Sequence, residues 1–169
     1  MSEKWEIFYL MIGSSGAALI GLLFVVVTLN AESNAATCEA GSRTFLTPIV
    51  FHFAMVFLVS TLALMPDVDT QILALGVAII GLVGLVFVGA ALGRMVLGHF
   101  PVPHRTDYIF CGVLPAIIYA ALLTSGAGLW FGAPLAVHGL AVAALALLFL
   151  GIRDAWDLAT WLAYHRDSA

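Results

Sequence analysis

The sequence predicts an all-α, polytopic transmembrane helix bundle of about five membrane-spanning helices, the last extended by an interfacial amphipathic segment. Three observations predict it. Hydrophobic residues make up 63% of the 169 residues and charged residues only 9%, against about 25% charged in soluble domains. Mean hydropathy is +1.10, which leaves too little polar surface to cover a water-soluble core. The apolar residues also come in continuous runs, and a helix of roughly 20 such residues crosses a bilayer. These runs lack the alternation that marks the strands of a membrane barrel.

The first run covers 5–29. It is longer than the core of a cleavable signal, about 7–15 residues, and no small-residue cleavage site follows it, so it reads as a retained helix. The linker "NAESNAATCEAGSRTFLT", 30–47, is polar, with room for a short helix. The second run, 48–65, opens on Thr47-Pro48, an N-cap followed by proline at the first helical position, and stops at Pro66. The third, 71–97, has Asp69 or Thr70 as its cap; the fourth, 108–124, has Thr106 or Asp107. Pro115 lies inside the fourth run and predicts a kink, because proline removes a backbone donor. The carbonyl of Cys111, one turn earlier, then needs a hydroxyl, a water or a shifted helical bond. "SGAGLWFGAP" reads as a loop. The fifth run, 135–152, continues as helix to about Tyr164. Residues 1–169 thus read as a single transmembrane domain without a separate soluble part. No internal repeat divides the chain in two, which speaks against an inverted-repeat transporter.

Orientation follows from the basic residues. One side of the membrane carries Lys4 alone, and the other carries Arg43, Arg94, Arg105, Arg153 and Arg166. Basic loops stay in the cytoplasm. The expectation is a bacterial inner-membrane protein with its N-terminus outside and its C-terminus cytoplasmic. Cys38 and Cys111 then both lie toward the reducing side and are expected unpaired.

Small residues recur at helical spacing: Gly13, Ala17 and Gly21; Gly81, Leu85, Gly89 and Gly93, with Gly84 adjacent; Gly112, Ala116 and Ala120. In lipid such stripes let backbones approach closely, inside one bundle or between copies.

The polar residues are few. Thr28, Asn30, His52, Arg94, Arg153, Asp154 and Asp157 are all expected near the cytoplasmic boundary. They form the one candidate ion path or partner site. His52 lies about one turn inside the second helix, and an intramembrane ionisable group marks a functional candidate. The bland alternative is a histidine bonded to a neighbouring helix. The run 135–152 rises about 27 Å as helix, which puts Arg153 at the interface. Arg153 and Asp157 are spaced to pair. Trp156, Trp161 and Tyr164 are typical interface anchors. Ser60 and Thr61 are the polar pair at mid-depth and can bond back to their own helix. No residues are identified as catalytic. No Cys/His spacing fits a metal site, no cofactor is implied, and no basic patch suits nucleic acid.

Three stretches, "AALIGLLFVVVTLN", "FHFAMVFLVSTLALMP" and "GIRDAWDLATWLA", in this order, resemble a widespread, uncharacterised group of small bacterial multi-pass inner-membrane proteins. The resemblance covers nearly the whole chain and implies location and topology rather than chemistry. That group more often has Asn at the position of Asp154, which implies that a role there does not require a negative charge.

The function expected is therefore that of a non-catalytic integral membrane protein, an accessory or structural subunit that contacts lipid and forms a homo-oligomer, with any other protein partner unspecified. The alternatives are a small channel or transporter with a polar cytoplasmic mouth, and a lipid-acting enzyme with His52 as its base.

Overall fold

A computed structural model of the chain describes residues 3–31, 47–96 and 109–166, the side chains at 30–31, 95–96 and 161–166 excepted. The described residues form α1 (Glu3–Ala31), α2 (Thr47–Ala63), α3 (Thr70–Val96), α4 (Leu114–Trp130) and α5 (Ala136–Arg166), with no strand among them. A π-helical turn, Ile109–Val113, leads into α4. Four segments are long and apolar enough to cross a bilayer: Glu3–Leu29, Thr70–Arg94, Ile109–Trp130 and Ala136–Thr160. The chain is an integral membrane protein, an all-helical bundle. α2 is shorter, at 17 residues, which is about 25 Å of helix.

Successive helices run antiparallel, and glycine contacts set their register. A Cβ on Gly13 of α1 would meet Ser60 Cβ of α2 at 2.8 Å, and one on Gly16 would meet the Phe53 carbonyl at 3.4 Å. Between α3 and α4 the backbones themselves touch. A Cβ on Gly81 would lie 2.6 Å from Leu123 N, and one on Gly126 would lie 2.7 Å from Ala78 N. Gly139 of α5 faces Ser125 of α4, and Gly151 faces the ring of Phe53 on α2. α1 and α5 begin side by side, where the rings of Trp5 and His138 meet edge to face at 5.3 Å. The core runs along these seams through Tyr9, Phe53, Val59, Tyr119, Leu122 and Leu147, all buried. Large apolar side chains such as Leu22, Phe24, Val86 and Phe149 point outward, as the lipid-facing side of a membrane bundle requires.

The small-residue stripes divide. Gly13, Gly81, Gly84 and Gly112 are closed by neighbours, whereas Gly21, Gly89 and Gly93 have nothing within 4 Å among the described residues. Ala17, in the expected first stripe, is exposed, and Gly16 takes the close contact instead.

Several element ends differ from expectation. α4 continues to Trp130, so "SGAGLW" is helix rather than loop. Glycine disfavours a helix in water, but here Gly126 and Gly128 fit against Ala74, Ala78 and Ala136, and packing outweighs propensity. The helix stops where Gly132 takes φ +71, a conformation open to glycine. Pro115 does not lie in the middle of α4. It sits in the first turn of α4, after the π-helical turn. That is the shifted helical bonding its missing N–H demands. Asp69 accepts a hydrogen bond from the Gln71 N–H at 3.2 Å and caps α3. The turn before α3 is tight, with Asp67 at φ 51. Thr106, Asp107 and Cys38 lie outside the described residues.

Candidate functional site

The candidate residues separate into two clusters and several isolated groups. The first cluster joins α2 to α4. His52 is 2% exposed, and its Nδ1 shares a hydrogen bond of 2.8 Å with the Tyr119 hydroxyl, the donor depending on the imidazole tautomer. Burial of both partners raises the cost of separating them, because a buried polar group without a partner bears its full desolvation penalty. Aromatic rings enclose the pair. Phe51 stacks on Phe87 of α3 at 4.0 Å and tilts against Tyr119 at 6.1 Å. The Tyr119 ring lies directly over Gly84, where no Cβ would fit. Three helices therefore meet at one phenol. The hydrogen bond thus links α2 to α4.

The second cluster lies on α5, which continues as one helix to Arg166. Arg153 pairs with Asp157 one turn on, at 3.0 Å, and with Asp154 at 3.2 Å. Its guanidinium also stacks over the Phe110 ring of the π-helical turn, 3.6 Å from the centroid. Side-chain exposure grades from 14% at Asp154 through 37% at Arg153 to 57% at Asp157. An ion pair this exposed is worth at most about 1 kcal/mol. The stack on Phe110 adds attraction between cation and ring quadrupole.

The remaining candidates do not join either cluster. Thr28 is exposed, and its hydroxyl donates to the Phe24 carbonyl of its own helix. Arg94 is exposed at the end of α3. The side chain of Asn30 lies outside the described residues. The mid-depth pair splits as well. Thr61 donates back to Phe57 O at 2.8 Å, but Ser60 Oγ is buried with no hydrogen-bond partner among the described residues, and so is Tyr9 Oη. No group of His, Cys, Asp or Glu among the described residues is arranged to hold a metal ion.

Sequence reasoning missed Tyr119, Phe110 and Tyr9. Tyr119 had a weak signal: it is the one hydroxyl-bearing aromatic in the apolar stretch "AIIYAALL". Buried phenols of that kind look for a partner, and His52 was the unassigned one. Phe110 carried no signal, since its role depends on a residue of another helix.

Comparison with family models, with curated proteins and with solved structures finds no match.

Proposed function

We propose that the chain is a non-catalytic subunit of a bacterial inner membrane that works as a homo-oligomer, with its N-terminus outside and its C-terminus in the cytoplasm. One observation carries this reading. The chain's helical glycines fall into two classes. Most of those inside the bundle are met by a neighbour that would collide with a Cβ, as at Gly81, Gly84 and Gly126. Gly89 and Gly93, one turn apart on α3, have open space among the described residues where a Cβ would stand, and Val86 and Ala90 beside them are exposed. Helical glycine costs about 1 kcal/mol relative to alanine. In lipid that cost is offset where a second helix comes close. A second copy of the chain is the occupant proposed.

The polar clusters support the same reading, since their bonding is used between this chain's own helices: His52 on Tyr119, Arg153 on Phe110. The test is mass in mild detergent and in native lipid discs. The wild-type chain is expected to be oligomeric, and Gly89→Leu with Gly93→Leu is expected to give a folded monomer. A monomeric wild type in both media would end this proposal.

A channel or transporter is favoured by a single feature, the exposed carboxylate of Asp157 at the mouth of its cluster. Cation flux in liposomes that disappears in Asp157→Asn would move the assignment there.

Orientation rests on the basic asymmetry. A reporter enzyme that works only outside the cytoplasm is expected to be active when fused after Asp67 and silent when fused after Ala169. Activity at Ala169 would reverse the topology.

A further inference from the structure

We infer that the turn between α4 and α5 is embedded in lipid: Phe131 and Leu135 rest on acyl chains at the edge of the hydrocarbon layer, and the turn does not emerge into water. Depth is the first argument. The charges of Arg153, Asp154 and Asp157 belong at one boundary of the hydrocarbon. From Arg153 back to Ala136, α5 rises about 26 Å, short of a hydrocarbon layer of about 30 Å. Register agrees. Leu123 packs on Gly81, and Gly126 on Ala78. Carried on in the same antiparallel register, Pro134 stands level with Thr70. Asp67 and Asp69, both exposed, therefore lie farther out than the α4–α5 turn.

Side chains and backbone fit the same place. Residues 108–152 contain no Asp, Glu, Lys or Arg. At the turn Phe131 is 84% exposed and Leu135 77%, with Trp130, an interface residue by type, exposed beside them. Residues 131–137 offer no polar side chain to a protein partner, which favours acyl chains as the occupant. Lipid supplies no hydrogen bonds in its core, so a turn set there must satisfy its own backbone. The N–H of Phe131 donates to the Ala127 carbonyl at 3.2 Å, Gly132 to Leu129 at 3.1 Å, Ala133 to Gly128 at 2.8 Å and Ala136 to Ala133 at 3.1 Å. Pro134 has no N–H to satisfy. The donors that remain, at Leu135 and in the first turn of α5, are those of any helix start, and lipid ester carbonyls accept them.

Spin labels measure the depth directly. Phe131→Cys, Leu135→Cys and, as a control in the α2–α3 turn, Pro66→Cys are each made in a Cys38→Ser, Cys111→Ala background and labelled in liposomes. All three positions are exposed, so the label disturbs little packing. Relaxation by oxygen, which concentrates in lipid, is compared with relaxation by a water-soluble nickel chelate present on both sides of the vesicle. Oxygen is expected to dominate at 131 and 135, and the chelate at 66. A second measurement keeps both native cysteines: Phe131→Trp as the sole tryptophan, the four native ones changed to Phe. Its emission should be quenched by brominated acyl chains and spared by aqueous iodide. Chelate dominance at 131 and 135, or iodide quenching at 131, would overturn the embedding. Shielding of 131 and 135 from both oxygen and chelate would overturn it too, since a second copy or another protein would then cover the turn.

Discussion

Gly126→Ala is expected to destabilise the bundle by about 3 kcal/mol, the upper range for forcing an extra carbon into a packed core. The added methyl would lie 2.7 Å from Ala78 N and 2.8 Å from Ala74 O. Both are backbone atoms of α3, so neither can turn aside as a side chain does. Relief requires α3 and α4 to separate, which also loosens the reciprocal contact of Gly81 on Leu123 and the Tyr119 ring on Gly84. Two other glycines serve as internal comparisons. Gly76→Ala meets only the tip of the Leu62 side chain, at 2.8 Å, and a rotamer change absorbs it, for a cost under about 1 kcal/mol. Gly89→Ala meets nothing among the described residues and should raise monomer stability by up to about 1 kcal/mol through helix propensity. Reversible unfolding in mixed micelles, at a dilution that keeps the chain monomeric, measures all three. Equal stabilities for Gly126→Ala and Gly89→Ala would refute the proposed close approach of α3 and α4.

That series also marks what could be read from the sequence. The helices were legible because lipid demands long apolar runs and proline and acid caps bound them, as Pro66 and Asp69 do. The far end of α4 was not. "SGAGLW" has the composition of a loop, and its helical state depends on Gly126 and Gly128 meeting α3 and α5. That relation has no local signature. The same holds for the candidate site. Spacing alone placed Asp157 one turn from Arg153, and the pair is there. Depth alone grouped Thr28, Arg94 and His52 with it, but depth is only one coordinate of three. Thr28 bonds to its own helix, and His52 is committed to Tyr119, 67 residues on. Ser60 shows the opposite limit. Its neighbour Thr61 bonds back to its own helix as expected. Ser60 faces the α1–α2 seam, where Gly13 crosses closely, and its hydroxyl finds no partner among the described residues.

Tyr119→Phe and His52→Leu are each expected to lower stability by about 1–2 kcal/mol, and the double variant to recover most of that loss. The expectation comes from the asymmetry of buried hydrogen bonds. Tyr119→Phe leaves the ring on Gly84 and beside Phe51 but strands the Nδ1 of His52. His52→Leu strands the phenol instead. Removing both leaves an apolar seam of similar shape, which can be nearly neutral. Interhelical hydrogen bonds in membranes average about 0.6 kcal/mol and reach about 1.7. A pair this buried, with both partners on different helices, belongs toward the upper end. The cycle is measured by reversible unfolding, and a coupling of zero would mean that the 2.8 Å contact does not hold α2 to α4. The double variant also separates joint from chemistry. If His52 serves only to tie two helices together, His52→Leu with Tyr119→Phe should assemble into the same oligomer as the wild type. If His52 moves protons, the double variant should fold and assemble normally yet lose any flux the wild type shows. No apolar pair, however well packed, can take up a proton.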